Sequence, residues 1–525
     1  MRLPSGAGTS ALIALPLLLA GCAVSPSPPP VGHVPPRAAE LPAAQALPSA
    51  GAPHAEFVRD FVEAFNTGDA ALLADAYTRL FAPEFLTGVG GAEAEAWWRL
   101  ELHRTYGDLE LRHIDSTATP PIVWTQGRVS RAWVGWQPYL DSAGLATRQT
   151  VWRPRPHGFS SAPLLTRQQV ADSLRAWLDA MAAADLFDGS VVLSHAGEVV
   201  VAGAWGARDR SGAPVFRSTR FNIASVTKLL TIVALLGLVE AGEVGLDDGL
   251  GRWVPEYPEP YASTVTIRHL LTHRSAIEVD DDPAYLAAVR EADGLDDLLR
   301  AQIVAIRGSE PRFEPGSEFD YTSEGVDLLG VVLERATGRD WREVVRDRVL
   351  APAGMTATEF AMPGDAAHRA VGYTSLSADL ESTLPRLRPA IEILPPVAKP
   401  SGGVWSNAAD LHSFARALLD GRLLGAAWVD SLMTPAWETG EFEKYGLRGW
   451  VGLGAQGEDV WGVRAVGHGG VVPGYSAAIE WFPRSGWLLT VTSNTGEATG
   501  YLAVQRLMEL VAPHELADQP APNSH

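Results

Sequence analysis

The tetrapeptide Ser225-Val226-Thr227-Lys228 is followed by an apolar run at residues 229–239. Together the two segments predict the helix around which the rest of the chain is organised. A hydroxyl and an amine three residues apart on a helix lie on one face, close enough to exchange a proton. A serine needs a neighbouring base to become a nucleophile, and a lysine can be that base only where burial favours its neutral form. The run after Lys228 leaves no polar face, which predicts a helix buried on all sides.

Lys228 is one of three lysines in the chain, together with Lys399 and Lys444. Arginine could not take its role, because a guanidinium does not lose its proton at usable pH. A Ser-x-x-Lys tetrapeptide also occurs by chance, so the rest of the sequence has to support it.

The composition bounds the possible functions. A length of 525 residues predicts two or more domains, and a hydrophobic content of 46% is ordinary for globular cores. The formal net charge of -20 and the pI near 5.1 argue against nucleic acid and against an anionic membrane surface as partners. Cys22 is the single cysteine, which excludes disulfides within the chain and cysteine metal clusters.

The N-terminus has the pattern of a secretory signal. Residues 11–20 are an apolar run too short to span a bilayer, and Leu19-Ala20-Gly21-Cys22 closes it. This closing stretch resembles a bacterial lipobox, which implies cleavage before Cys22 and its diacylation; an ordinary signal peptide with an incidental cysteine is the alternative. We expect a signal peptide at residues 1–21 and a Pro/Ala-rich tether at residues 22–53. The resemblance implies an exported lipoprotein, held by its lipid anchor in the cell envelope, at the outer membrane or its periplasmic face.

Residues 54–156 predict a small α+β domain. Phe57, Phe61 and Phe65 recur at helical spacing, and partly alternating strand patterns follow residue 108. Helices followed by a curled sheet resemble the cone-shaped fold shared by nuclear transport factor and ketosteroid isomerase. The stretch has no convincing catalytic acid or base pair, so we expect an accessory or dimerising domain, followed by a linker at residues 157–165.

Residues 166–512 predict the main domain, and residues 513–525 a tail. A helix follows Thr166, a hairpin joins residues 190–193 to residues 199–202, and helices dominate from Ser225 onward. Strand patterns return only late, at residues 464–468, 476–482 and 487–492. Strands at both ends with helices between predict an α/β fold, more narrowly α+β, in which one sheet is split by a helical insertion.

Two further motifs support the Ser-x-x-Lys turn. Tyr321-Thr322-Ser323 precedes a predicted helix, and a phenol beside a lysine could share one proton with it as base and then acid. Gly467-His468-Gly469-Gly470-Val471 ends a predicted strand, where glycines let the backbone approach a ligand closely. Alone, the first could be a half-buried tyrosine and the second a glycine turn.

In this order the three motifs resemble the serine β-lactamase and penicillin-binding protein family, in its branch of class C β-lactamases, DD-peptidases and esterases. Three other stretches are similar to recurrent stretches of that family: Thr266-Ile267-Arg268-His269-Leu270-Leu271-Thr272-His273, Phe313-Glu314-Pro315-Gly316 and Ser401-Gly402-Gly403. The resemblance covers residues 166–511. It implies a β-lactamase/transpeptidase-like fold, an antiparallel sheet flanked by helices, preceded here by the small cone-like domain.

The resemblance also implies roles for single residues. Ser225 would be the nucleophile, and Lys228 with Tyr321 the pair that handles its proton. The backbone N–H groups of Ser225 and Val471 would form the oxyanion hole. Further substrate contacts would come from the residues around them: His468, Gly469, Gly470 and Ser323. The implied function is a serine hydrolase that forms an acyl-enzyme on an ester or amide, without cofactor or metal.

Two positions depart from the family pattern. Ser323 stands where relatives have an asparagine that contacts the substrate's amide, and Gly469 where β-lactam-binding relatives often have a threonine that helps to hold the substrate carboxylate. Both departures weaken the case for penicillins and D-Ala-D-Ala peptides. We expect a small-molecule or peptide substrate, with small esters favoured; the oligomeric state stays open.

Other interpretations are less well supported. His269 and His273 could bind zinc, but no glutamate of a zinc protease motif accompanies them. The acidic residues 280–282 could attract calcium, but they lack an EF-hand pattern. No Gly-x-Ser-x-Gly stretch suggests an α/β-hydrolase. The non-enzymatic alternative is a catalytically weak, penicillin-binding-like protein that binds or self-assembles in the cell envelope.

Overall fold

The structure is a computed structural model that describes residues 53–152, 163–280, 283–306, 311–377, 383–442, 447–496 and 498–516. The predicted signal peptide, Cys22 and the tether up to residue 52 lie outside the described residues. So do residues 281–282 of the acidic stretch, most of the predicted linker and the end of the predicted tail.

The N-terminal region is a layer of helices on one antiparallel sheet. Its elements are α1 Pro53–Phe65, α2 Ala70–Leu80, α3 Pro83–Gly88, α4 Ala92–Tyr106, β1 Leu109–Asp115, β2 Ile122–Gly127, β3 Trp133–Leu140 and β4 Ala146–Trp152. The strands lie in the order β1-β2-β3-β4. The helical spacing of Phe61 and Phe65 places both rings against Trp136 of β3, with centroids 5.1 and 6.1 Å away. Asp69 accepts hydrogen bonds from the first N–H groups of α2, which explains where that helix begins.

The larger region contains the remaining elements. Its helices are α5 Arg167–Ala183, α6 Thr227–Glu240, α7 Leu250–Trp253, α8 Tyr261–Thr264, α9 Ile267–Leu271, α10 Pro283–Glu291, α11 Leu295–Ala305, α12 Ser323–Thr337, α13 Trp341–Val345, α14 Ala351–Ala353, α15 Ala408–Leu419, α16 Ala426–Met433 and α17 Thr499–Leu516. Its strands are β5 Gly189–His195, β6 Glu198–Trp205, β7 Phe221–Asn222, β8 Tyr373–Leu376, β9 Thr383–Pro389, β10 Trp405–Ser406, β11 Trp437–Phe442, β12 Leu447–Val451, β13 Gln456–Val460, β14 Val463–Val472, β15 Tyr475–Phe482 and β16 Trp487–Ser493.

One eight-stranded sheet organises this region, in the order β11-β12-β13-β14-β15-β16-β5-β6. Its strands pair antiparallel, and the pairing of β16 with β5 joins the C-terminal strands to the early hairpin. The helices from α6 to α16 are inserted between them in the chain. The expected α+β fold, one antiparallel sheet flanked by helices and split by a helical insertion, is therefore confirmed.

Helix α6 lies inside the helical layer. Every residue of α6 except Gly237 and Glu240 is buried, as the apolar run predicts. Its side chains share one hydrophobic core with α12 and the neighbouring helices. This burial fixes Lys228, at the second position of the helix, in a place without solvent exposure.

The sequence did not predict β11, β12 and β13, or the hairpin of β8 and β9. Trp437–Phe442 and Gln456–Val460 contain glycines and charged residues and lack clear alternation, so their own patterns are weak. Strand β13 pairs with β14, and β12 pairs with β13, so neighbouring strands supply the backbone hydrogen-bond partners. The last helix also differs: α17 begins at Thr499 and continues to Leu516, inside the predicted tail.

The N-terminal region and the large sheet share a hydrophobic core. Phe61 and Trp136 belong to the same buried cluster as Leu174 of α5 and Leu507 of α17. Polar contacts cross this boundary as well, since the Trp177 indole donates to the Ser130 carbonyl at 3.1 Å. In the part of the chain that the structure describes, no helix combines the length and the hydropathy required to cross a bilayer.

Candidate active site

Ser225 lies on a short 3-10 turn, Ala224–Val226, that leads directly into α6. Ala224 before it has a φ of 47°, a left-handed conformation that costs energy for a residue other than glycine. The Asn222 side chain stabilises the turn by accepting the Ala224 N–H at 2.9 Å. The turn thus presents a half-buried Ser225 at the start of a buried helix.

The Lys228 ammonium is surrounded by three oxygen atoms. Its Nζ lies 3.3 Å from Ser225 Oγ, 3.2 Å from Ser323 Oγ and 2.8 Å from the Ser401 carbonyl oxygen. A protonated lysine can donate to all three, whereas a neutral amine donates to two and accepts from the third. The Ser401 carbonyl can only accept, so the neutral form would accept a proton from one of the two hydroxyls. This arrangement allows Lys228 to receive the Ser225 proton.

Tyr321 lies beside Lys228 without a hydrogen bond to it. Lys228 Nζ is 5.0 Å from the centroid of the phenol ring. Among the described residues, the hydroxyl that contacts the amine from this motif is that of Ser323, at the first position of α12. The structure therefore brings Ser225, Lys228 and Ser323 into direct contact, and Tyr321 into the same site at a longer distance.

His273 is a site residue that the sequence did not assign. Its buried ring lies against the Tyr321 ring, and its Nδ1 accepts the Thr322 N–H at 3.3 Å. Burial and the nearby charge of Lys228 hold the pKa of His273 well below its usual range, so the ring is neutral. Because Nδ1 is the acceptor, Nε2 carries the proton, and this buried donor has no partner among the described residues.

His468 has the opposite arrangement of its ring nitrogens. Its Nδ1 lies 2.6 Å from the Gly469 carbonyl oxygen, so Nδ1 carries the proton and Nε2 is an acceptor without a partner in the described structure. Burial, followed by the charge of Lys228, lowers the pKa of His468 to about 3. The ring centroid is 6.4 Å from that of Tyr321. The site thus holds two neutral histidines on either side of a phenol.

Strand β14 reaches the nucleophile along an unpaired edge. The pairing of β13 with β14 ends at Gly467, while the pairing with β15 continues to Val472. At Gly470 an added Cβ would lie 2.8 Å from the Ser225 backbone N, so only glycine lets the strand approach so closely. Val471 follows on this edge, where its backbone is beside the nucleophile turn.

Gly469 is explained by a residue from the last helix. A Cβ at this position would lie 1.7 Å from the Tyr501 hydroxyl oxygen, because the Tyr501 ring packs directly against Gly469. Burial, then the charges of Glu480 and Glu458, raises the pKa of Tyr501 well above its usual value, so the hydroxyl is neutral. A phenol therefore fills the space that a side chain at position 469 would occupy.

The described residues do not support the zinc interpretation of His269 and His273. Helix α9 ends at Leu271, and His273 has a φ of 53°, so His269 and His273 do not share a helical face. His269 instead uses its Nδ1 to accept the Thr266 N–H that begins α9. Within the described ranges, no group of three or more His, Cys, Asp or Glu side chains is arranged to hold a metal ion.

Three site residues were missed from sequence: His273, Ser401 and Tyr501. His273 and Ser401 lie in stretches that resemble recurrent stretches of the family, and this resemblance was a signal of their importance. It did not show what the His273 side chain or the Ser401 carbonyl would contact. Tyr501 had no signal, because only the fold brings the start of α17 against β14.

The comparisons with known proteins agree with this fold. A sequence model described as Beta-lactamase matches residues 174–511. Penicillin-binding protein 4* of Bacillus subtilis strain 168 is 28% identical over 354 residues, 64% of this chain and 75% of that protein. Esterase EstB of Burkholderia gladioli is 36% identical over 177 residues, 32% of this chain and 45% of the esterase. The D-amino acid amidase of Ochrobactrum anthropi SV3 shares the fold, with 24% identity and a TM-score of 0.54 over 65% of this chain and 99% of the amidase.

Proposed function

The chain belongs to the beta-lactamase family and is a serine hydrolase, and from this premise we propose that Ser225 is its nucleophile. The observation that carries the proposal is the contact of Ser225 Oγ with Lys228 Nζ at 3.3 Å, on a turn held at the head of a buried helix. The alternative is a catalytically weak envelope binding protein, and this contact weakens the case for it.

The proposed reaction has two stages. In the first, a neutral Lys228 takes the Ser225 proton while Ser225 Oγ bonds to the substrate carbonyl carbon, and the bond to the leaving group breaks as that group is protonated. In the second, water bonds to the acyl carbon as it gives a proton to Lys228; the bond between that carbon and Ser225 Oγ then breaks, and the proton passes from Lys228 to Ser225 Oγ. We assign to Ser323, which contacts Lys228 at 3.2 Å, and to Tyr321, whose ring lies beside the amine, a part in carrying the proton.

The developing oxyanion requires donors that are already in place. We assign this role to the backbone N–H groups of Ser225 and Val471, because β14 passes against the nucleophile turn at Gly470. The N-terminal end of α6 adds a favourable dipole at the same point. Each such donor is worth about 10² to 10³ in rate in known oxyanion holes.

The surroundings of Gly469 favour substrates without a carboxylate. Relatives that hold a β-lactam carboxylate often use a threonine hydroxyl at this position, and here Tyr501 fills that space. Glu480 and Glu458 lie near Tyr501, and burial raises the pKa of both carboxyls, that of Glu458 to about 7 and that of Glu480 well above its usual value. These groups supply no positive charge with which a substrate carboxylate could pair. We therefore place small esters, and amides without a free carboxylate, ahead of penicillins and D-Ala-D-Ala peptides.

A substrate panel tests this preference. The purified protein is given p-nitrophenyl butyrate, a chromogenic cephalosporin, a D-Ala-D-Ala tripeptide and the amide of the same tripeptide, and kcat/KM is measured for each. We expect the ester to be fastest and the tripeptide amide to exceed the tripeptide acid. A preference for the acid, or for the cephalosporin over the ester, would overturn the assignment of substrate class.

Lys228→Arg tests the role of the amine. We expect it to lose activity nearly as completely as Lys228→Ala, because the role requires a group that can lose its proton. Retention of most wild-type activity by the arginine variant would show that Lys228 supplies only a positive charge.

The location of the protein is a separate proposal. It rests on Leu19-Ala20-Gly21-Cys22 after an apolar run, in a part of the chain outside the described residues. We propose an envelope lipoprotein anchored through Cys22. The native protein should pellet with membranes and carry lipid on Cys22, and Cys22→Ala should be released; an unacylated, soluble wild-type protein would refute the anchor.

A further inference from the structure

The turn at residues 399–402 connects Lys228 to a buried carboxylate. The turn is closed by backbone hydrogen bonds between Lys399 and Gly402 in both directions. On one side it contacts α6, since the Pro400 carbonyl accepts from Thr231 Oγ1 at 2.7 Å and the Ser401 carbonyl accepts from Lys228 at 2.8 Å. The turn therefore fixes the position of the Lys228 amine.

The other side of the turn is held by Asp327. The Ser401 N–H donates to Asp327 Oδ1 at 2.9 Å. Asp327 lies one helical turn after Ser323 on α12, so both side chains are on the face that meets Lys228. Pro400 packs on the same helix, where a Cβ at Gly330 would lie 2.3 Å from the proline ring. Ser401 thus joins the Asp327 carboxylate to the amine, because its N–H contacts the first and its carbonyl the second.

The Asp327 carboxylate is buried and has no ion pair among the described residues, although charges lie close. Burial, then the charge of Glu324 one turn earlier on α12, raises its pKa to about 7. Lys228 and the hydrogen bonds from Ser401 act in the opposite direction. The charge of Asp327 also acts on Lys399, but the Lys399 ammonium donates its hydrogen bond to the Ala292 carbonyl and not to Asp327.

The other groups that face Lys228 do not supply a compensating negative charge. His273 and His468 are neutral, because burial and Lys228 itself lower the pKa of each. Tyr321 presents its ring to the amine. Asp327 is thus the acid whose ionisation falls near neutral pH beside this lysine.

We propose that Asp327 is a positioning residue for the reaction: it holds the Ser401 carbonyl on Lys228 and places a carboxylate charge beside the amine. This inference rests on the proposed role of Ser225 and Lys228. An ionised carboxylate favours the ammonium over the amine.

The test measures how fast a fluorophosphonate labels Ser225 between pH 5 and pH 10, because this rate reports the base without depending on the natural substrate. Asp327→Asn keeps an acceptor for the Ser401 N–H and removes the charge. We expect its rate plateau to stay within about 3-fold of wild type, while the acid limb of the profile moves to lower pH by about 0.5 to 1 unit. Asp327→Ala also loses the hydrogen bond, and its plateau should fall by about 10-fold or more.

Asp410→Asn is the matched control. Asp410 is likewise buried and accepts a backbone N–H, from Ala357 at 2.8 Å, but the cation that acts on it is Arg220 rather than Lys228. Its profile should keep the wild-type acid limb. Thermal unfolding of each variant checks that the labelled protein is folded.

The outcomes separate this inference from the proposed function. If the wild-type protein is not labelled at Ser225, the proposed nucleophile is wrong. If Ser225 is labelled and Asp327→Asn is folded with an unshifted acid limb, Asp327 has no electrostatic role. If Asp327→Ala keeps the wild-type plateau, the carboxylate does not position the turn.

Discussion

The imidazole of His273 lies flat against the phenol of Tyr321, with ring centroids 4.5 Å apart and planes inclined by 30°. The same histidine contacts the backbone on both sides of the tyrosine. Its carbonyl accepts the Asp320 N–H at 2.8 Å, and its Nδ1 accepts the Thr322 N–H at 3.3 Å. His273 therefore determines where Tyr321 stands relative to Lys228.

His273→Phe should lower kcat/KM for an ester by about 10-fold to 100-fold, because a small displacement of a catalytic group is costly. The variant keeps a ring against Tyr321 but leaves the Thr322 N–H without its acceptor. His412→Phe is the control, since His412 is also buried but contacts Ser194, between α15 and β5. The control should lose stability without a comparable loss of activity. Equal losses of activity in both variants would show that His273 has no specific role in the active site.

Gly469→Thr should inactivate the protein, because its side chain would occupy the position of the Tyr501 hydroxyl. Tyr501→Ala in the same chain should restore part of the activity by making room. The two positions should thus be strongly coupled in a double-mutant cycle measured with an ester. Additive effects would mean that the ring of Tyr501 is not what excludes a side chain at position 469.

Asp327→Asn should change the pH dependence of stability. Burial raises the pKa of Asp327 to about 7 in the folded chain. The wild-type protein therefore has its full stability at low pH, where Asp327 is protonated, and loses part of it as pH rises to 7 and Asp327 ionises. The asparagine variant lacks this loss. Its free energy of unfolding relative to wild type should therefore increase by up to about 4 kcal/mol between pH 4 and pH 8. Urea unfolding at the two pH values measures it, and a constant difference would contradict the raised pKa.

Removal of the N-terminal region should destabilise the rest of the chain. A protein that begins near Leu164 would expose the faces of α5 and α17 that share a core with Phe61 and Trp136. We expect a lower midpoint of thermal unfolding and aggregation at micromolar concentration. Glu101→Gln is the milder comparison, because it weakens mainly the hydrogen bonds that Ser375 of the larger region donates to Glu101. An unchanged midpoint for the shortened chain would show that the shared core contributes little.

The features that the sequence predicts best are those determined by a local pattern of residues. The apolar run after Lys228 predicts the burial of α6, and Thr166 with Gln169 forms the capping box that begins α5. The order of the three motifs leads to the family, and the split of one sheet by helices follows from where the strand patterns occur. Such features are visible because the residues that cause them are neighbours in the chain.

Contacts between distant segments are not predictable in this way. Tyr501 meets Gly469, and Asp327 meets Ser401, only after α17 and α12 pack against the sheet and α6. Ser323 was noted for the asparagine it replaces, and its contact with Lys228 depends on the angle between two helices. The strands β11 to β13 have weak patterns of their own and depend on β14 for pairing.

The most direct test of the central claim is mass spectrometry of the protein after exposure to a fluorophosphonate, with Ser225→Ala treated in parallel. We expect a single adduct on the peptide that contains Ser225, absent from the variant, with loss of ester hydrolysis in proportion to labelling. An adduct on another serine, or ester hydrolysis undiminished in Ser225→Ala, would contradict it.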